Sequence, residues 1–209
     1  MKNLLILLLL IPIISFGQKK AERLLDNGDK KMIYGDFRGA IDDYYEAILV
    51  ILKKGGKSDY AIYMKTHIYG QLGSAFYETG NYKSAIENYT KVIELDPNAS
   101  GAYYNRGVSK DNLEDGYGAI ADYTKAIELD PNFADAYVNR GVSKKRLQDY
   151  HGAIADQTKA IELDPNFADA YTNRGVAKYD AGLNGCPDLM KAKELGGYVH
   201  PEAMKTICN

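Results

Sequence analysis

The sequence predicts an all-α fold, a linear stack of antiparallel helix pairs. Three observations carry this expectation. One block recurs every 34 positions, each copy holds two stretches with helical apolar spacing, and Asp-Pro pairs close the second stretch. Tyr103-Tyr104-Asn105-Arg106-Gly107-Val108-Ser109-Lys110 returns as Tyr137 to Lys144 and again as Tyr171 to Lys178, with Asn-Arg-Gly-Val in all three. Ala119-Ile120-Ala121-Asp122 matches Ala153-Ile154-Ala155-Asp156, and both lead into Lys-Ala-Ile-Glu-Leu-Asp-Pro-Asn.

The chain opens on a leader. Lys2 supplies a positive start, and Leu4 to Ile14 is an apolar run. That run is too short to span a bilayer, which takes roughly 20 residues. Ser15 and Gly17 place small residues at a cleavage point. This is the layout of a secretory signal peptide over residues 1–17, cut after Gly17. The alternative is an uncleaved anchor. No Cys follows the apolar run, which argues against a lipid-modified N-terminus.

Five units are expected after it. Residues 18–65 form a degenerate first unit, in which Gly28, Ala40, Tyr44 and Ala47 stand in register. It lacks the Asp-Pro ending and runs instead through Lys53-Lys54-Gly55-Gly56-Lys57, an insertion relative to the period. Residues 66–99 carry Gly73, Ala85, Tyr89 and Pro97 in register, and 100–133 and 134–167 are regular. Residues 168–196 are degenerate again, with Cys186-Pro187 near the place of Ala-Ile. Residues 197–209 are left as a polar C-terminal cap, which argues against end-to-end stacking of copies.

Inside a unit, the first helix carries Tyr, Asn, Gly and then Val at helical spacing. The second carries a broad apolar face, as in Ala119, Ile120, Tyr123, Ala126, Ile127 and Leu129. Asp130-Pro131 and Asp164-Pro165 stop the second helix, because proline restricts the residue before it and donates no N–H. Asn132 with Asp135, and Asn166 with Asp169, are expected to cap the next helix. Gly80-Asn81-Tyr82 and Asp149-Tyr150 mark the turn within a unit. Gly107 and Ala119 fall on opposite arms of one hairpin, where small residues let two helices approach closely.

Composition narrows the function. Net charge is −2, with Lys and Arg interspersed among Asp and Glu, so no basic face for a nucleic acid is formed. Cys186 and Cys208 are the two cysteines. Behind a signal peptide such a pair points to a disulfide, the alternative being two free thiols. His67, His151 and His200 are dispersed, with no metal-ligand spacing among them. Ser109 and Ser143 recur with the repeat, which marks them as structural. The acidic pairs Asp42-Asp43 and Glu114-Asp115 read as solvated helix faces. No phosphate loop or nucleophile elbow is present. The sequence therefore predicts no enzyme, no catalytic residue, no metal and no cofactor.

A 34-residue helix–turn–helix with fixed Gly, Tyr, Ala, Tyr, Ala and Pro resembles the tetratricopeptide repeat family, over residues 21 to about 196. Tyr103, Gly107, Ala119, Ile127, Leu129 and Pro131 carry the resemblance; Gln157 replaces the second Tyr in one unit. The resemblance implies a right-handed superhelix whose concave groove holds a peptide or a partner's helix. A consistent departure is Arg106, Arg140 and Arg174 where the family most often has Leu. Asp122, Asp156 and Asp188 follow at a near-constant distance, so each Arg is expected to pair with an Asp of the facing helix.

By resemblance, the groove is lined by the first helices. In register these supply Tyr104, Asn105, Val108, Asp111 and Asn112; then Val138, Asn139, Val142, Lys145 and Arg146; then Thr172, Asn173, Val176 and Tyr179. Asn105, Asn139 and Asn173 recur identically, so a structural role stands beside ligand contact. Residues that vary between units (Tyr104, Val138 and Thr172; Asp111, Lys145 and Tyr179) suit specificity better. The chaperone-carboxylate clamp of one subclass is not expected, since Leu25, Gly70, Tyr104 and Val138 stand where its lysines would be. The expected partner is thus a protein or peptide in the cell envelope, periplasmic or secreted, with no nucleic acid and no membrane once the leader is removed. The alternative is an accessory or enzyme-like protein of the periplasm that holds a substrate.

Overall fold

The computed structural model describes residues 16–53 and 58–209. Among the described residues there are eleven helices and no strand. The apolar run Leu4 to Ile14 and part of the Lys53–Lys57 insertion lie outside them. Helix α1 (Phe16–Ile33) passes through Gly17, where the leader was expected to end.

The chain forms two compact units, residues 1–81 and 82–209. In the first, α1 packs on α2 (Phe37–Lys53), and α2 on α3 (Asp59–Glu78). The α1–α2 turn is made by Gly35 at φ +77°, followed by Asp36, whose carboxylate accepts from the Gly39 N–H at 3.0 Å. Ala21, Leu24, Tyr44, Ile48, Met64, Ile68 and Leu72 form the core. Gly28 lies directly against the Tyr44 ring. Ser58 opens α3 by accepting from the Ala61 N–H.

The second unit holds α4 (Tyr82–Leu95), α5 (Ser100–Asp111), α6 (Gly116–Leu129), α7 (Ala134–Arg146), α8 (Tyr150–Leu163), α9 (Ala168–Asp180), α10 (Cys186–Glu194) and α11 (Pro201–Cys208). Each packs on the next in chain order, and the first helices α5, α7 and α9 also touch in succession. The close approach read from small residues is present. A Cβ on Gly107 would lie 2.8 Å from the Tyr123 ring, and one on Gly141 2.6 Å from Gln157 Nε2. Gln157 takes the tyrosine's place and donates to the Val138 carbonyl at 2.9 Å, which satisfies part of its buried amide.

The Arg–Asp pairs are formed, each as a two-pronged contact. Arg106 meets Asp122 at 2.9 and 2.7 Å, Arg140 meets Asp156 at 2.9 and 2.7 Å, and Arg174 meets Asp188 at 3.1 and 2.7 Å. Two further groups join each pair. Lys110, Lys144 and Lys178 close on the same carboxylates, and Thr90, Thr124 and Thr158 accept from the guanidinium. The threonine belongs to the second helix of the preceding pair, so every Arg ties three helices together. Its plane also lies about 5.5 Å over the Tyr three residues earlier.

The helix starts correct one expectation. Asn132 and Asn166 are not caps. Asp130 and Asp164 accept from the backbone N–H of Asn132 and Asn166 at 3.0 and 2.9 Å, and Phe133 and Phe167 stand at the cap positions without a side-chain hydrogen bond. The proline between them fixes the backbone for this short turn. The phenylalanines are free to pack instead, Phe133 against Ala126, Ile127 and Ala136. Within units, Asp115 and Asp149 cap α6 and α8 by accepting from Gly118 and Gly152. Glu114 and Gln148 precede them at φ 63° and 64°, in the slot that Gly80 and Gly182 fill one repeat away.

Cys186 and Cys208 are joined in a disulfide across 22 residues. In the chain-entropy description such a loop contributes about 3 kcal/mol. Helix α11 touches both α10 and α9, as α7 touches α6 and α5 and α9 touches α8 and α7. It is a shortened extra first helix, stapled by its last residue over the end of the stack.

Candidate functional site

Residues of α5 and α7 expected in the groove meet around one hollow. Val108, Asp111, Asn112, Asn139, Val142 and Arg146, with Tyr123 from α6, enclose about 180 Å³. Asp111, Asn112 and Arg146 continue into an adjoining hollow that adds Glu114, Gly116 and Leu147. Val108 and Val142 supply its apolar lining, and Asn112, Asn139, Asp111 and Arg146 its polar lining. Such a surface suits an extended chain, whose apolar side chains and backbone groups both need partners.

Asp111 organises the floor. Its Oδ2 accepts from the Tyr123 hydroxyl at 3.1 Å and the Ser143 hydroxyl at 2.7 Å. Its Oδ1 faces the Arg146 guanidinium at 3.8 Å, a loose ion pair rather than a hydrogen bond. The next step of the groove repeats the arrangement with the charges exchanged, Lys145 facing Asp180 at 3.9 Å. Tyr179 stands beside it, exposed.

Other expected residues take different places. Val138 is a correction: it is buried with Ala160 and Ala170, because this turn of α7 faces both α8 and α9. Tyr104 is half-buried, its ring 4.7 Å from Phe133 and 5.9 Å from Tyr123. Its hydroxyl accepts from the Asn139 amide at 2.9 Å, so these two bridge successive units. Thr172 donates to the Ala168 carbonyl within its own helix. Asn105 and Asn173 lack a tyrosine one unit back, and their amides make no hydrogen bond among the described residues. The recurring Asn therefore bridges successive units at Asn139 and makes no such bridge at Asn105 or Asn173.

The sequence reading missed Tyr123, Ser143 and Glu114. Ser143 recurs with Ser109, yet only Ser143 has a carboxylate, Asp111, one unit earlier. That difference was the available signal. The first unit builds its own carboxylate centre: Asp29 accepts from Tyr44 at 2.7 Å and from Gln71 at 2.9 Å, with His67 at 3.8 Å. Burial, then the Asp29 hydrogen bond, pushes the Tyr44 hydroxyl far above its ordinary value, so it remains a donor. No cluster of three or more His, Cys, Asp or Glu among the described residues could hold a metal ion.

The family described as TPR repeat matches residues 73–110, 117–148 and 144–182. Among solved structures, a MamA protein is 28% identical, covering 85% of this chain and 92% of its own, with a TM-score of 0.73. MamA from Desulfovibrio magneticus RS-1, residue 41 to the end, is 20% identical, covering 85% and 95%, with a TM-score of 0.74. The first TPR of Spaghetti (RPAP3), bound to the HSP90 peptide SRMEEVD, is 26% identical, covering 56% and 94%, with a TM-score of 0.56. No curated protein matches the sequence.

Proposed function

The chain belongs to the tetratricopeptide repeat family, and on that premise we propose that it is an interaction scaffold holding a partner's peptide segment along its first helices. One observation carries the reading: residues of α5 and α7, expected in the groove from the family resemblance and the repeat register, converge on a hollow with apolar and polar lining. The Spaghetti domain, similar over 56% of this chain, binds a peptide, which supports a peptide as guest. The contacts we assign to the guest come from Asn105, Asp111, Asn112, Asn139, Val142, Lys145, Asn173 and Tyr179.

The scaffold works in the cell envelope or outside the cell. A disulfide persists in oxidising compartments, and Cys186–Cys208 is bonded. The leader layout supports the same placement. No described helix is long and apolar enough to cross a membrane.

The test is capture from an envelope extract. Val142→Glu puts a charge on the hollow's wall, whereas Ala155→Glu puts the same charge on the exposed side of α8. A partner held by wild type and Ala155→Glu but lost by Val142→Glu is the expected result. Equal loss from both variants, or from neither, contradicts the groove.

A further inference from the structure

We infer that the α5–α7 hollow is a receptor for a basic side chain, arginine or lysine, and that Arg146 is its built-in placeholder. The inference deepens the groove reading above and rests on it. Asp111 is the starting point. Its side chain is only 13% exposed, and one oxygen is fully used by Tyr123 and Ser143. The other oxygen has only Arg146, 3.8 Å away, beyond hydrogen-bonding distance. That oxygen belongs to a carboxylate lining the hollow and receives no hydrogen bond among the described residues, so a cation entering the hollow can donate to it.

Arg146 is poorly placed to be that donor. It is the last residue of α7, and its side chain is 61% exposed. The contrast within the same helix is instructive: Arg140 grips Asp156 at 2.9 and 2.7 Å. Charge balance points the same way. Both adjoining hollows are lined by Asp111 and Arg146, and the second adds Glu114, so their described lining residues hold two carboxylates and one cation. Lys110 is committed to Asp122 at 2.7 Å, and Lys145 faces away to Asp180. One more positive charge brings the site to neutrality. The hollow's volume, about 180 Å³, is of the order of one long side chain, and Val108 and Val142 offer walls for an aliphatic stem. A guest arginine would displace Arg146 into solvent and donate to Asp111 Oδ1, with Asn139 also in the lining.

Three pools of acetylated, amidated decapeptides, random except for a fixed central Arg, Gln or Glu, test this on the full chain by fluorescence anisotropy. The Arg pool is expected to bind tighter than the Gln pool by about tenfold, the size of one hydrogen bond to a charged group. Arg146→Ala should strengthen the Arg pool further, an effect that no loss of folding can mimic. Asp111→Asn, which still accepts from Tyr123 and Ser143, should erase the preference. Equal binding of all three pools removes this inference and leaves the groove reading standing. A preference for the Glu pool makes Arg146 the receptor and overturns it. Binding of no pool to any variant overturns both.

Discussion

Asp156→Asn lowers the thermal midpoint by roughly 5–12 °C, while Glu162→Gln, on the same helix, leaves it within about 1 °C. The difference follows from burial and partners. The Asp156 side chain is 6% exposed and receives Arg140 through two nitrogens and Lys144 at 2.8 Å. Glu162 meets only Lys159, three residues away, with its side chain 59% exposed. Removing the Asp156 charge leaves two cations facing a neutral amide, and removal of one member of a buried pair costs a few kcal/mol. An exposed pair contributes well under 1 kcal/mol. The damage should extend to α6, because Arg140 also donates to Thr124 there. A melting curve for Asp156→Asn that overlays the wild type would dismiss the network as decoration.

The same network sets the response to acid. Burial pushes the Asp188 carboxyl up, but hydrogen bonds from Arg174 and Lys178 outweigh it and hold the group below its ordinary value. A depressed folded-state value means that stability is fully present above the unfolded carboxylate range, near pH 4. It is lost as pH falls through the folded value. Asp188→Asn should therefore be less stable at neutral pH and flatten the decline below pH 4. A decline as steep as that of the wild type would count against the assignment.

Gly141→Leu is the second large effect, about 3 kcal/mol of destabilisation, at the upper end for overpacking. A Cβ there meets Gln157 Nε2 at 2.6 Å, the Ala153 carbonyl at 3.2 Å and Asp156 Cβ at 3.2 Å. Gln157 cannot simply withdraw, since it is buried and bonded to Val138. The Ala153 oxygen is helix backbone, so relief requires α7 and α8 to separate. Gly101→Leu is the matched control, because nothing lies within 4 Å of a Cβ at Gly101. Circular dichroism melts of the two variants should differ clearly; equal midpoints would refute the close approach.

Features that repeat were legible in the sequence, and features that depend on one residue in one unit were not. The close approach of paired helices at the recurring glycine, the Arg–Asp pairs and the helix order each recur at a constant or nearly constant spacing, so one copy reports on the next. The bond from Asn139 to Tyr104 needs a tyrosine found in a single unit, so repetition of Asn could not reveal it. Val138 looked like a variable groove position, yet a first helix has neighbours on two sides, and spacing along α7 does not say which side a valine faces. The caps were misplaced because Asp130 can reach its own turn before Asn132 reaches the helix. Within the site, the apolar lining Val108 and Val142 and the polar lining Asn112, Asn139 and Arg146 followed from the resemblance and the register. The floor did not, since Tyr123 belongs to the second helix and Ser143 finds its carboxylate across units.

A photo-cross-linker placed at successive positions along α5 to α9 in the envelope-expressed protein tests the central claim most directly. Capture of a partner should recur with the repeat, strong at positions 108, 112, 142, 146 and 176 and absent at 121, 125, 155 and 159 on the second helices. Capture confined to the second helices, or spread evenly over both, would contradict a guest chain lying along the first helices.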